Sequence, residues 1–316
     1  PAEPERTVTE TEDGTVIEYS DYTVDPDVQV TKPEPAPEAA APAEKAADPE
    51  DETVTYEAPA EENTSVVSLV ENVVKIVNNC TDTLNIILRN LKVDASSSTE
   101  DAMNITGKGS VTLELDGKNE LISGSSTYDS AHGSLAGLHS GHLDGTLTLT
   151  DADKDGGSLT AKGGYSKDSG YVSSDGICAK DLSIIDTSIT AVGGDVGGSL
   201  SYGGTGLSAD VLNMTGSSLS ATGGSVNNST ADYSSGGLGL GIGNYDGLKS
   251  NISDSHISAI GGNSSSSGKK ATGGTGANII GTAADSYLID HVTLLAQGGN
   301  AQASGSGNAT GGRGID

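Results

Sequence analysis

The stretch Ser188-Ile-Thr-Ala-Val-Gly-Gly194 decides the fold because variants of it recur along the chain. They stand at Ser158-Leu-Thr-Ala-Lys-Gly-Gly164, Ser218-Leu-Ser-Ala-Thr-Gly-Gly224, His256-Ile-Ser-Ala-Ile-Gly-Gly262 and Thr293-Leu-Leu-Ala-Gln-Gly-Gly299, at intervals of 30, 30, 38 and 37 residues. Each phrase alternates polar and apolar residues. Leu159, Ile189, Leu219, Ile257 and Leu294 point one way and their neighbours the other, which is the period of a half-buried strand. A unit of this size cannot hide its apolar edge alone, so the units must stack.

Working outward, each unit holds two earlier strands, as in Gly176-Ile-Cys-Ala179 followed by Leu182-Ser-Ile-Ile185, and Gly206-Leu-Ser-Ala209 followed by Val211-Leu-Asn-Met214. Three short strands joined by Gly, Asn, Asp and Ser turns describe one triangular coil. The expectation is an all-β, right-handed parallel β-helix (a β-solenoid) with three short strands per coil over residues 63–316, its Ile and Leu residues forming ladders inside the tube. The paired glycines are expected to end the third strand with φ > 0. Upstream, Met103 to Ile105, Val111 to Leu115 and Glu120 to Ile122 form an earlier coil, and Leu135 to Leu138 opens the next. Residues 65–98 close the N-terminal end. Val66, Val67, Leu69, Val70, Val73, Val74, Ile76 and Val77 follow a helical spacing, but so many β-branched residues favour strand. Gly314-Ile315 repeats the Gly-Ile that opens a coil, so the natural protein is expected to continue.

Composition changes near residue 62, with all nine prolines before it and all but one of the 45 glycines after it. Residues 1–62 carry nineteen acidic side chains against three basic ones. Such a segment buries too little apolar surface to offset its chain entropy, and reads as a disordered, extended linker. The whole chain has a formal net charge of −28. That field repels phosphate backbones and anionic headgroups, which argues against nucleic-acid and membrane-surface partners. No apolar run reaches the roughly 20 residues of a membrane span. The first residue, Pro1, suggests a start after a removed signal peptide or inside a longer chain. With no Trp and no Phe, the core must be aliphatic and thinly layered. Cys80 and Cys178 fall about three rungs apart, roughly 14 Å at the usual strand spacing, which is too far for a bridge. Both read as small buried hydrophobes.

Phrases such as Gly109-Ser-Val-Thr-Leu-Glu-Leu-Asp-Gly-Lys-Asn-Glu-Leu121, Leu135-Ala-Gly-Leu138 and the Ala-x-Gly-Gly endings resemble the β-helical carbohydrate-binding domains of Firmicutes secreted and cell-surface proteins. The resemblance runs over residues 63–316. It implies an extracellular protein, secreted or attached to the cell wall, that binds plant or host polysaccharide without cutting it, in some members with calcium. The matching positions are mostly core and turn residues, so they specify the architecture better than the ligand.

The residues themselves offer several candidate sites. Asp151, Asp153 and Asp155 stand at alternate positions before Gly156, as an oxygen cage for calcium begins. Lys162 occupies the place of the usual bidentate Glu, so further ligands would come from a neighbouring coil. The competing reading is a solvated acidic turn. Tyr171, Tyr202 and Tyr233 recur every 31 residues, with Tyr128 and Tyr165 in matching loops. Stacked coils would set them in a row beside Asp168, Asp175, Asp195 and Asp232, offering rings for sugar faces and acceptors for hydroxyls. A ladder of tyrosines that merely packs the loops is the alternative. His139 and His142, near His132, lack regular ligand spacing and read as surface histidines.

Many β-helices degrade polysaccharides. A lyase needs a base and a cation at the uronate, yet no arginine lies between Arg89 and Arg313. A hydrolase needs facing carboxylates; Asp and Glu are plentiful, but no close cluster of Asp with His and a basic residue is evident on one strand face. The favoured reading is a monomeric, non-catalytic glycan binder. An adhesin or stalk recognising a host surface protein is the main alternative, and a lyase or hydrolase comes third.

Overall fold

A computed structural model of the chain describes the backbone at residues 6–11, 14–19, 27–31 and 65–70. With side chains it describes 73–124, 135–166, 173–198, 202–244, 249–268, 270–281, 287–304 and 307–316, of Asn228 and Asn244 the backbone alone. Tyr128, Asp168, Tyr171 and His132 lie outside the described residues. No helix occurs among those described. The strands form three parallel faces around one core, a parallel β-solenoid.

The first face runs Val73–Asn78, Met103–Gly107, Ala136–Ser140, the opening half of Asp175–Ile185, the opening half of Leu207–Thr215, Leu240–Asn244 and Ala277–Gly281. The second runs Leu84–Arg89, Val111–Asp116, Leu147–Thr150, the closing halves of those two long strands, Ser250–Ser253 and Tyr287–Asp290. The third carries the repeated phrase, from Lys92–Asp94 through Lys118–Ile122, Ser158–Lys162, Ser188–Val192, Ser218–Thr222 and His256–Ile260 to Thr293–Gln297. Antiparallel strands lie against the first coil. Ser65–Val70 pairs with Val73–Asn78, so the β-branched run is strand, and Asp27–Thr31 pairs with Leu84–Arg89. Open strand edges are covered in this way.

The register is the expected one. Leu159, Ile189, Leu219, Ile257 and Leu294 are successive Cα partners in one column. All but Leu294, in the last complete coil, are buried. Ile86, Leu113, Leu149, Ile184, Met214 and Ile252 make the matching column on the second face. Each fully buried Leu or Ile contributes about 1.5–3 kcal/mol. The Leu159 column begins one rung lower at a polar residue, Asn119, which is buried. Its amide accepts a hydrogen bond from Leu91 N and donates to Ser158 O, so its burial is compensated. Ile315 bridges to Ala277, so the chain enters a further coil, and Leu288, Ile289, Leu295 and Ile315 are exposed there.

The corner between the second and third faces is turned by one left-handed residue in most coils. Asn90, Asp186, Asp254 and His291 have φ between 46° and 52°, and Gly117 and Gly216 take the same place with φ of 67° and 61°. Asn and Asp tolerate this region because their side chains hydrogen-bond locally.

The corner between the third and first faces works differently and corrects the expectation for the paired glycines. None of them has φ in the left-handed region. The chain instead leaves the tube through one pair, such as Gly223-Gly224, and returns through another, such as Gly236-Gly237. Outgoing and returning pairs interleave up the molecule. Gly194 N donates to Ser174 O, Gly204 N to Gly194 O, Gly224 N to Gly204 O, Gly237 N to Gly224 O, Gly262 N to Gly237 O and Gly274 N to Gly262 O, at 2.7–3.0 Å. A Cβ on Gly224 would sit 1.9 Å from Gly194 O, and one on Gly237 1.8 Å from Gly204 O. Two backbones can approach this closely only without side chains. Lower in the seam, where Ser123 and Ser174 replace glycines, their hydroxyls make the bonds instead, Ser123 Oγ accepting from Gly164 N and Ser174 Oγ donating to Gly124 O.

Beyond the seam the excursions stack into two small parallel ribbons. Val196–Gly197, Val226–Ser229, Ser264–Ser266 and Ala301–Ala303 form one, and Tyr233–Ser235, Lys270–Thr272 and Asn308–Thr310 the other. Their contact is made of small residues, with Ser234 Oγ and Ser264 Oγ buried and 2.8 Å apart. Cys80 and Cys178 form no disulfide, and both are partly exposed, so neither is the buried hydrophobe expected. Cys178 alternates with the inward Ile177 and so faces outward.

Candidate functional site

The Asp151–Gly157 turn interrupts the second-to-third corner of its coil, with Lys154 and Gly156 in the left-handed region. Asp151 is buried and holds the turn from inside. Its carboxylate accepts hydrogen bonds from the backbone N–H of Asp155, Gly156 and Gly157, at 3.2, 3.0 and 3.0 Å. Asp153 and Asp155 are exposed. Glu114, from the preceding coil, accepts from Ala152 N at 2.7 Å. One carboxylate oxygen each from Glu114, Asp151 and Asp153 lie within 4.8 Å of one another. The cluster therefore holds two of the three aspartates, Asp151 and Asp153, with Glu114 in place of Asp155. Burial raises the Glu114 carboxyl against the pull of its backbone hydrogen bonds, and the charges of Asp153 and Asp151 add to the rise. The Asp155 carboxyl is raised too, by desolvation and then by Asp153, Asp116 and Asp151. Mutual repulsion of this kind is relieved by a proton or a cation.

The same turn heads a groove of about 590 Å³ that follows the left-handed corner across several coils. Asp151, Asp186 and Asp254 line it together with Ser188, Ser218 and His256. The lining follows from the repeat. The corner residue is polar because φ is positive there. The residue after it is a buried hydroxyl that stitches one coil to the next, Thr187 N donating to Ser217 Oγ and Ser217 N to Ser255 Oγ. The first outward residue of the third strand, Ser188, Ser218 or His256, forms the other wall. Lys154 Nζ lies 3.2 Å from Asp186 at the N-terminal end of the groove. This groove was not read from the sequence, although the recurring Asp186-Thr-Ser188, Gly216-Ser-Ser218 and Asp254-Ser-His256 triplets carry it.

The tyrosines divide between the ribbons. Tyr202 and Tyr233 are on returning strands, with ring centroids 5.7 Å apart and planes tilted by 52°. Lys270 Nζ stands 5.3 Å from the centre of the Tyr233 ring. The two are not register partners, since Tyr202 bridges to Ser235 and Tyr233 pairs with Lys270. Tyr165 precedes Ser166, which bridges to Val196 on the outgoing side, so it belongs to the other ribbon. Tyr165 and Tyr202 are more than half exposed. Asp195 is exposed and one carboxylate oxygen accepts from Ser225 N at 2.6 Å, and Asp232 is exposed beside Tyr233, whereas Asp175 is buried and accepts from Thr205 N, so it is not the open acceptor expected.

A further cluster lies on the outside of the first face. His139 is buried, not a surface histidine. Its Nδ1 is 3.1 Å from Asp101 Oδ2, and Cys178 is its register partner in the next coil. Burial pulls the imidazole down, but the hydrogen bonds and charges of Asp101 and Cys178 outweigh it and push it up to about 10. Aligning Leu138-His139 with Ile177-Cys178 would have exposed this pairing in the sequence.

Comparison with protein-family models, with curated proteins and with solved structures finds no match for this chain. Its class therefore rests on its own architecture: a parallel β-solenoid with a side lobe of stacked excursions and an acidic, hydroxyl-lined corner groove.

Proposed function

We propose that this chain is a non-catalytic extracellular protein, secreted or attached to the cell wall, that binds a polysaccharide along the groove of the left-handed corner. The observation that carries this reading is the groove's shape and lining. It is open and follows the coil axis, as an extended polymer requires, and it presents the Asp186 and Asp254 carboxylates as acceptors and the Ser188 and Ser218 hydroxyls as donors along its length. Sugar hydroxyls are matched by such pairs. The Tyr202–Tyr233 pair offers a second contact, an apolar face for a sugar ring. Calcium belongs to the same proposal, held by Glu114, Asp151 and Asp153 at the head of the groove, where a hard cation prefers carboxylate oxygens.

A glycan array on the full chain, followed by titration calorimetry of the best ligand, tests the proposal. Asp186→Ala with Asp254→Ala is expected to weaken binding at least tenfold, and Tyr202→Ala with Tyr233→Ala to weaken it less. No binding to any glycan, or equal affinity in the groove variant, would sink it. Calorimetry with calcium alone is expected to show heat that Asp153→Ala abolishes. An unchanged heat removes the ion from the proposal.

A further inference from the structure

The constellation Asp101–His139–Cys178 is assembled from three coils and has no part in the groove. Asp101 lies at the start of one first-face strand, His139 points outward from the next, and Cys178 points outward from the one above. The parallel register sets them in order, with His139 opposite Cys178 and Leu138 opposite Met103. Asp101 is held from two sides, its Oδ1 accepting from Ala136 N at 2.7 Å and its Oδ2 from Asn104 Nδ2 at 2.6 Å. That carboxylate engages Nδ1 of His139 and fixes the ring. Nε2 therefore faces the other way, and the spot where a Cβ on Gly141 would stand is 3.0 Å from Nε2 and 3.8 Å from Cys178 Sγ. Gly141 leaves that space open, and Cys178 is partly exposed.

An acid that orients a histidine, whose far nitrogen meets a thiol, is the arrangement that turns a cysteine into a nucleophile. Among the described residues, the titratable groups around His139 are Asp101 from the coil before, Asp175 and Cys178 from the coil after, and His142, whose ring centre is 5.6 Å away. The Asp101 carboxylate beside the imidazole favours its protonated form, and an imidazolium favours the thiolate.

We propose that Cys178 is an activated nucleophile, with His139 as its proton acceptor and Asp101 as a positioning residue, and that it captures disulfide-bearing molecules by exchange. The proton resides on His139, whose imidazolium stands beside the Cys178 thiolate. The thiolate sulfur attacks one sulfur of the disulfide, a new S–S bond to Cys178 forms and the original S–S bond breaks. The departing thiolate takes the proton back and leaves as a thiol, so Cys178 is oxidised and the released half is reduced. The chemistry needs only an accessible thiolate and the incoming disulfide. Both probes below are uncharged, so the acidic field of the chain does not exclude them.

The test follows both cysteines of the native chain by mass spectrometry, Cys80 serving as the internal reference. With iodoacetamide at pH 6, Cys178 is expected to react at least about tenfold faster than Cys80 and to change little up to pH 8. A thiol of ordinary pKa near 8.5 gains about tenfold per pH unit over this range. With 2-hydroxyethyl disulfide at pH 6, the adduct is expected on Cys178 alone. His139→Gln, which keeps the hydrogen-bonding shape but cannot hold the proton, should slow Cys178 about tenfold at pH 6 and restore the ordinary pH slope. The proposal is overturned if Cys178 is inert, if it follows the same pH slope as Cys80, or if a natively folded His139→Gln variant reacts like the wild type. Should that variant fail to fold, the comparison of the two cysteines in the wild-type chain decides alone.

Discussion

The two glycine-bearing corners of this solenoid solve the same problem by opposite means. At the second-to-third corner the chain turns through a single left-handed residue, and the requirement is conformational, so Asn90, Asp186, Asp254 and His291 serve as well as Gly117 and Gly216. At the third-to-first corner the backbone is not left-handed, and the requirement is spatial, because strands leaving and re-entering the tube are packed amide against carbonyl. A glycine is replaceable in the first setting and not in the second. The difference also separates the surfaces. The conformational corner leaves room for polar side chains and becomes a groove, whereas the spatial corner has none and becomes a seam that projects the ribbons.

The largest effect that can break this comparison is expected from Gly224→Ala. The added Cβ would meet Gly194 O at 1.9 Å, and backbone on both sides prevents escape. The expected cost is about 3 kcal/mol or more, as for severe overpacking, read as a lowered urea midpoint. A midpoint equal to that of the wild type would mean that the seam is looser than described.

A smaller effect sharpens the description of the seam's foot. Asp175 follows Ser174, whose carbonyl receives Gly194 N. Burial raises its carboxyl from 3.8 to about 7, against the opposing pull of a hydrogen bond from Thr205 N and the charge of His139. A carboxyl raised on folding takes up a proton between those two values. Its contribution to stability is therefore most favourable at low pH and is lost as pH rises through about 7. Asp175→Asn, which keeps an acceptor for Thr205 N, is expected to stabilise the fold by about 2 kcal/mol at pH 8 and to give no gain at pH 4. An equal change at both pH values would show that the carboxyl is ionised throughout.

The smallest effect belongs to the other corner. Gly216→Asn keeps a residue type that already adopts this conformation at Asn90, and its Cβ would meet only the end of the Asp186 side chain, at 2.3 Å. A change within about 0.5 kcal/mol is expected. A loss as large as that at Gly224 would erase the distinction between the corners.

What the sequence made legible followed from local alternation repeated at a fixed interval. The columns through Leu159 and Ile189, the three strands per coil and the re-entry at Ile315 all depend on residues whose neighbours a full coil away can be counted. The purpose of the paired glycines was not legible in this way. Gly-Gly is the same dipeptide whether it permits positive φ or close approach, and only the returning pairs, such as Gly203-Gly204 and Gly236-Gly237, show that two backbones meet. The site was legible in part. Asp151 and Asp153 were found from their spacing, but Glu114 is 37 residues before Asp151 and enters only through coil stacking. The Tyr spacing of 31 residues did not translate into register, because Tyr202 pairs with Ser235 and Tyr233 with Lys270. Cys178 and His139 were read separately because the loop lengths between them hide their common column.

Adjacent coils lie one strand spacing apart, about 4.8 Å, with Ser158, Ser188 and Ser218 in one outward column. Disulfide formation between cysteines placed in that column, with Cys80 and Cys178 changed to Ser, measures it directly, because bridging requires Cα atoms within about 7 Å. Ser188→Cys with Ser218→Cys is expected to cross-link readily under mild oxidation, and Ser158→Cys with Ser218→Cys, two rungs apart, is not. Cross-linking of the distant pair alone, or of neither pair in a folded protein, would contradict the stacked-coil register.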